Sequence, residues 1–517
     1  MLGPVIIDGE SLTIDEIVAV ARHGAEVKLA HSAIETIERS HQWVEEIVKR
    51  GEPVYGINTG FGIFAEKRIP AEDSTQLSRN LILSHAVGTG EPLDHEIVRA
   101  AILVRANTLA KGYSGVRLVV VETLLELLNK GVTPVVPEKG SLGSSGDLAP
   151  LSHLALVYTT DAKDDEAESG KAFFEGEILT GKEAMRRAGI ERIILGAKEG
   201  LALNNGATFS AAIGALAVHD AEKLLQAGEV SLSMTLEAVM GCSGAFDERL
   251  HHARGHCGQT RVAKSVRALI DGSTLIDSYG RIQDAYSLRC APQVQGIAWE
   301  TLAFVRGITE KEINAATDNP LLFSIGEAVS GGNFHGEPIG MAMDFLGIAL
   351  SEIASISERR VFRLTDGHLN ADLPPMLVDR LSEIGLNSGL MMPQYTAASL
   401  VLENQTLASP DSVRSLPTSA EQEDHNANSM TAARHTREIV TNTAFVLAIE
   451  FYTAARALDL RLRQNPKLIL GKGTQKAYRI IRENVVYQPG DAWWGPEIES
   501  VRDLIMSKLS EIAENVD

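Results

Sequence analysis

Cysteine is scarce in this 517-residue chain, with only Cys242, Cys257 and Cys290. Three scattered thiols are too few for a disulfide framework or a thiolate metal site, so they read as buried or idle thiols in a reducing cytosol. Aromatic residues make up 5% and form no stacking ladder. No basic run is present, and 48 basic against 68 acidic residues leave a net charge of −20. That balance argues against nucleic acid or an anionic membrane as partner. No uninterrupted apolar stretch approaches the ~18–20 residues that a bilayer span requires. The start, Met1-Leu2-Gly3-Pro4 running into Asp8 and Glu10, lacks the basic and apolar regions of a signal peptide. A phosphate loop of the G-x-x-x-x-G-K-[ST] type is missing, and Gly88-Thr89-Gly90 lacks the spacing of a dinucleotide site. These absences together predict a cytoplasmic protein that uses neither metal nor nucleotide.

A hydrophobic fraction of 44% is ample for a large core. Helical periodicity dominates the chain. Thr13-Ile14-Asp15-Glu16 is a capping box, in which a hydroxyl and a carboxylate three residues apart satisfy amides at a helix start. Long helical patterns follow at about 207–239, 341–363, 388–404 and 432–463, well above the average globular helix of ~11–12 residues. Extended helices of this kind pack as a bundle. Strand signals are few and short, as in Val132–Val136 and Ile193–Leu195, and the acidic stretch Asp161–Glu168 reads as a solvated loop. The expected fold is mainly α: an elongated long-helix bundle at 206–517, with a smaller loop-rich part at 1–205. The boundary is approximate within one continuous architecture. Glycine clusters at Gly56–Gly62, Gly88–Gly90, Gly140–Gly146 and Gly331-Gly332 mark irregular backbone, where chemistry tends to sit.

The most informative run is Gly140-Ser141-Leu142-Gly143-Ser144-Ser145-Gly146-Asp147-Leu148-Ala149-Pro150-Leu151. Ser145 is a serine open to β-elimination, followed by the residue with least steric cover on its amide. In a sharp bend the Gly146 nitrogen can close a five-membered ring on the carbonyl of Ser144. Loss of two waters would then give a methylidene-imidazolone, an electrophile made without a bound cofactor. Taken alone, the triplet is more often an ordinary turn.

The run is similar to the signature of the aromatic amino-acid ammonia-lyases and aminomutases, which carry a 4-methylideneimidazole-5-one (MIO) group. Their triplet is usually Ala-Ser-Gly, whereas Ser144-Ser145-Gly146 stands here; the side chain of residue 144 stays outside the ring, so serine is compatible with closure. The resemblance extends from Tyr55 to Gly490-Asp491-Ala492-Trp493-Trp494-Gly495-Pro496-Glu497-Ile498. It implies a mostly helical homotetramer whose active sites are lined by more than one subunit. It also implies roles. Tyr55, in Tyr55-Gly56-Ile57-Asn58-Thr59-Gly60-Phe61-Gly62, would be the base near the substrate β-carbon. Asn205 would lie near the MIO carbonyl and the substrate amine, and Asp147 would shape the turn. Gln283, Tyr286 and Arg289 match a substrate-binding loop, with Arg289 gripping the carboxylate and Tyr286 supporting the base. Phe334 would pack near the ring.

Two segments bear on the substrate. Ser84-His85 occupies the selectivity position and resembles the histidine-specific members, since an imidazole nitrogen in an apolar pocket would be left unpaired at ~1–3 kcal/mol. Gln422-Glu423-Asp424-His425 matches the run whose glutamate faces the imidazole. Aligned on the glutamate, Glu423 takes that place; aligned on the following Ser429-Met430, His425 does. Glu423 is favoured, because a carboxylate can pair with an imidazolium or accept from its N–H. The resemblance thus implies non-oxidative loss of ammonia from L-histidine to give trans-urocanate. The alternatives are a tyrosine or phenylalanine lyase, a 2,3-aminomutase, and a catalytically silent relative.

Overall fold

The computed structural model describes residues 3–514. Met1 and Leu2, which begin the run that lacks signal-peptide features, lie outside the described residues, as do residues 515–517. The chain forms two compact units, each assembled from separate stretches of sequence. The first holds the residues up to His219 with Arg306–Asp344 and Pro410–Arg434; the second holds Asp220–Val305, Phe345–Ser409 and the remainder from His435. The helices Thr208–Ala238, Ala291–Glu312, Glu337–Thr365 and Ser429–Gln464 each contribute residues to both.

In the first unit the Thr13 capping box forms at the start of helix Ile14–His23, and Gly24 ends that helix in the left-handed conformation. The helix packs on His95–Ala110, in which every residue from Ala100 to Ala110 is buried. Burial on all sides explains why that helix has no polar face. All the described strands belong to this unit, in small sheets of two or three strands such as the parallel pair Val5–Ile7 and Val27–Leu29. The expected strand at Val132–Val136 is reduced to Thr133–Pro134, paired with Ala172 and Phe173.

The acidic stretch Asp161–Glu168 is the exposed loop expected, and it is also tied down by cations. Asp164 pairs with Lys182 at 2.9 Å and with Arg192, and buried Arg79 donates to the Glu168 carbonyl at 2.9 Å. The cations that neutralise it come from distant sequence, which a local charge count misses.

In the second unit the fully buried Glu450 accepts from Arg360, Ser231, Thr235 and Ser357, the hydroxyl donors lying at 2.7–3.0 Å. A buried pair whose remaining lone pairs are all satisfied escapes most of its desolvation penalty. The helix expected from residue 388 begins instead at Met391, because the Ser388 and Gly389 amides bond to Asp491 at 2.7 and 2.8 Å. Glu337–Thr365 is long and apolar enough to cross a membrane by length and composition. However, 67% of its most apolar window is buried inside the protein, as in a core helix.

Candidate active site

The triplet sits where two helix ends meet. Leu148–Tyr158 begins two residues after Gly146, and helix Glu199–Asn204 runs out at Asn205 just before Thr208–Ala238 begins. Gly146 and Gly206 form a parallel β-bridge, with the Asp147 amide donating to the Gly206 carbonyl at 2.9 Å. Both glycines have positive φ, +79° and +120°. A Cβ on Gly146 would stand 2.0 Å from the Gly206 carbonyl carbon, and one on Gly206 would stand 2.0 Å from the Thr317 carbonyl oxygen. Neither position tolerates a side chain.

The fully buried Asp147 locks this junction. Its carboxylate accepts from the Ser210 amide at 2.8 Å, from the Ser210 hydroxyl at 3.0 Å and from the Ser141 hydroxyl at 2.8 Å. The Ser210 amide lies in the first turn of its helix, where unpaired donors favour a carboxylate. Burial nonetheless pushes the Asp147 carboxyl up, against these hydrogen bonds. Arg105, also fully buried, donates to the Ala202 and Thr317 carbonyls and to the Thr208 hydroxyl, tying both helix ends together.

Within this frame the Ser145 carbonyl oxygen accepts two hydrogen bonds, from Asn205 Nδ2 at 2.9 Å and from the Gly206 amide at 3.1 Å. Paired donors on one carbonyl stabilise negative charge there. The Asn205 Oδ1 atom is buried without a hydrogen-bond partner and belongs to a residue lining the cavity. A tight turn closed by two glycines, with a doubly held carbonyl at its apex, fits a ring built from Ser144, Ser145 and Gly146.

Ser145 lies between two lobes of a cavity, of about 750 and 830 Å³, both within the first unit. Tyr55, Ser145, Asn205 and Glu423 line both lobes. The first lobe adds Ser84 and His85 among largely apolar walls from Phe61, Phe64, Leu77 and Leu81; the second adds Phe334. Ser84 Oγ and His85 Nδ1 are 2.9 Å apart. Burial lowers the His85 pKa below its ordinary 6.5, partly opposed by a Leu81 backbone hydrogen bond and by the charge of Glu423. Burial raises the Tyr55 phenol above its ordinary 10.0, opposed by a Gly62 backbone hydrogen bond and reinforced by Glu423.

Glu423 and His425 have different surroundings. Glu423 accepts from Ser144 Oγ at 3.2 Å and from Ser145 Oγ at 3.0 Å. His425 lines only the second lobe and stacks on His335, with ring centroids 5.9 Å apart.

Gln283, Tyr286 and Arg289 belong to the second unit, and none of them lines either lobe. Tyr286 and Arg289 share one short helix, Tyr286–Arg289. Tyr286 is 70% exposed; the Arg289 guanidinium lies 4.6 Å from the ring of Tyr286, and its Nε has no hydrogen-bond partner. Among residues that periodicity and motif did not single out, Gly206 closes the turn, Thr418 bonds Glu423, and Glu337 lines the second lobe with a buried, unpartnered Oε2. Only the Asn-Asn-Gly order marked Gly206; Thr418 and Glu337 carry no local signal.

A profile described as aromatic amino acid lyase matches residues 12–483. Histidine ammonia-lyase of Caldanaerobacter subterraneus subsp. tengcongensis is 52% identical over 512 residues, covering 98% of each chain. The crystal structure of histidine ammonia-lyase from Trypanosoma cruzi superposes with a TM-score of 0.90 at 38% identity, covering 99% of this chain and 95% of that one. Tyrosine aminomutase from Streptomyces globisporus gives a TM-score of 0.91 at 34% identity, covering 99% and 98%. With similarity spanning essentially the whole length, the chain belongs to the aromatic amino acid lyase family, enzymes of the carbon–nitrogen lyase class.

Proposed function

We propose that this chain is a cytoplasmic, homotetrameric histidine ammonia-lyase that converts L-histidine to trans-urocanate and ammonia, with Ser144-Ser145-Gly146 matured to an MIO group. The observation that carries the reading is one cavity in which Ser145, Tyr55, His85 and Glu423 converge. The MIO group, once formed, supplies an electrophile that turns the α-amine into a better leaving group. The protein's own residues do the rest. Asn205 Nδ2 and the Gly206 amide hold the Ser145 carbonyl oxygen at 2.9 and 3.1 Å and draw electron density toward it. Tyr55 takes the β-proton, with Tyr286 in support. His85 and Glu423 supply hydrogen-bond partners for the imidazole, whose ring nitrogens need them in an otherwise apolar lobe. Arg289 and Gln283 bind the carboxylate, and Phe334, which lines the second lobe, packs near the ring. Gln283, Tyr286 and Arg289 lie outside both lobes of that cavity, and in this proposal other copies of the chain supply them.

Turnover of L-histidine, L-tyrosine and L-phenylalanine, followed by ultraviolet absorbance of the conjugated acid, tests the reading. Only L-histidine is expected to react. Reaction of tyrosine or phenylalanine alone would refute the imidazole pocket, and a β-amino acid with ammonia retained would identify a mutase.

The pH profile has a definite sign. His85 is held below 6.5, so it is neutral and able to pair with the substrate from neutrality upward. Tyr55 is held above 10.0, so its basic form grows only on the alkaline side. kcat/KM is therefore expected to climb through the alkaline range, and Tyr55→Phe to abolish that climb along with most activity. A profile flat above neutrality in the unmodified enzyme would remove Tyr55 from the base role.

A further inference from the structure

Two serine hydroxyls meet one carboxylate beside the proposed electrophile. Glu423 Oε1 accepts from Ser145 Oγ at 3.0 Å, and Oε2 accepts from Ser144 Oγ at 3.2 Å and from Thr418 Oγ1 at 3.3 Å. Ser144 is buried, at 7% exposure, so water competes poorly for its hydroxyl. The backbone behind the carboxylate is also fixed. The Thr418 amide donates to the Glu423 carbonyl at 2.8 Å and the Glu423 amide donates back at 3.3 Å, closing an antiparallel bridge.

Maturation treats the two serines differently. Ring closure forms a bond between the Gly146 nitrogen and the Ser144 carbonyl carbon. One water leaves with the Ser144 carbonyl oxygen and the amide hydrogens of Ser145 and Gly146; a second leaves with the Ser145 hydroxyl and its α-hydrogen. Nothing is oxidised or reduced, and the Ser144 hydroxyl takes no part. Of the two serine partners of Glu423, one is consumed and the other survives.

Resting on the proposed function, we infer that Ser144, at the position where related lyases usually carry alanine, is a positioning residue for substrate specificity. Its hydroxyl, with that of Thr418, pins Glu423 Oε2. The opposite oxygen, Oε1, is freed when the Ser145 oxygen leaves and is the one presented to the imidazole ring. The departure from Ala-Ser-Gly is thus a second anchor for the ring-reading carboxylate, and it orients that carboxylate without touching the substrate.

The Ser145→Ala protein allows a test without turnover, because it cannot form the electrophile and lacks the oxygen that maturation removes. Calorimetric dissociation constants are measured for trans-urocanate and for trans-cinnamate, the same acid with a benzene ring. Adding Ser144→Ala is expected to weaken urocanate about fivefold, less than the full worth of a hydrogen bond to a carboxylate because Thr418 still holds Oε2, while cinnamate is unchanged. Ser144→Thr, which keeps the hydroxyl, should retain the preference. In a Glu423→Gln background, Ser144→Ala should lose most of its effect, as coupled partners require. An unchanged urocanate-to-cinnamate ratio, or equal loss for both ligands, overturns the role of Ser144 and leaves the histidine reading standing. If the Ser145→Ala protein shows no preference for urocanate at all, the histidine reading fails and takes this inference with it.

Discussion

Replacing Ser145 by alanine is expected to lower kcat for L-histidine by at least about a thousandfold, equivalent to roughly 4 kcal/mol of barrier. The substituted chain keeps its fold, because the side chain contributes one hydrogen bond, to Glu423 at 3.0 Å. The frame around it is made of other groups: Asp147 on Ser210, the Gly146–Gly206 bridge, and Asn205 on the backbone carbonyl of residue 145. A thermal melt should therefore move little, because maturation also removes the Ser145 hydroxyl and with it the bond to Glu423. Intact mass adds an independent readout, since the mature enzyme should be lighter than its sequence by two waters and the Ser145→Ala protein should not. Full activity in Ser145→Ala would end the electrophile reading. Gly146→Ala makes a useful contrast. It leaves every reacting atom in place, yet puts a methyl group 2.0 Å from the Gly206 carbonyl carbon. It should lose activity and stability together, whereas Ser145→Ala loses activity alone.

Arg289→Ala is expected to raise KM for L-histidine about a hundredfold, the ~3 kcal/mol of a charge-assisted bidentate grip. The greater effect lies in mixing. Ser145 and Arg289 lie in different compact units, and Arg289 lines neither lobe of the cavity that holds Ser145. If each site draws Ser145 from one copy and Arg289 from another, both single variants are nearly inactive at L-histidine concentrations well below KM, but co-expressed subunits assemble some sites free of either substitution. Random assembly would restore roughly a quarter of the sites, given that sites are formed between copies in a symmetric oligomer. Activity in the mixture should exceed the sum of its parts by far more than tenfold. Strict additivity would show that each chain supplies its whole site and would overturn the shared-site proposal.

Much of the helical scaffold was legible because it rests on local, repeating physics. The capping box at Thr13 and the long apolar periodicities became the helices Ile14–His23, Thr208–Ala238, Glu337–Thr365 and Ser429–Gln464. What local pattern misplaced or left out shares one cause. Ser388 and Gly389 stay out of their helix because Asp491, about a hundred residues away, takes their amides. The Asp161–Glu168 stretch is tied down by Arg79, Lys182 and Arg192, none of them adjacent to it. Long-range partners decided both, and no window of sequence contains them.

The same division runs through the active site. The sequence by itself determined which chemical groups are available: a β-eliminable serine before a glycine, a glycine-flanked tyrosine, and a Ser-His pair suited to an imidazole. It favoured Glu423 over His425 on chemistry alone, a carboxylate being able to pair with an imidazolium or accept from its N–H, because two alignments of one short run both fit the residue order. The tertiary structure puts Glu423 within hydrogen-bonding distance of Ser144 and Ser145, while His425 stacks on His335. It also bends Gly146 against Gly206, and Gly206 in turn against Thr317, where only glycine leaves room. Residue types follow from the sequence directly. Distances between residues 60 and 279 positions apart, such as Asn205 to Ser145 and Glu423 to Ser144, exist only once packing and hydrogen bonding have closed the chain on itself.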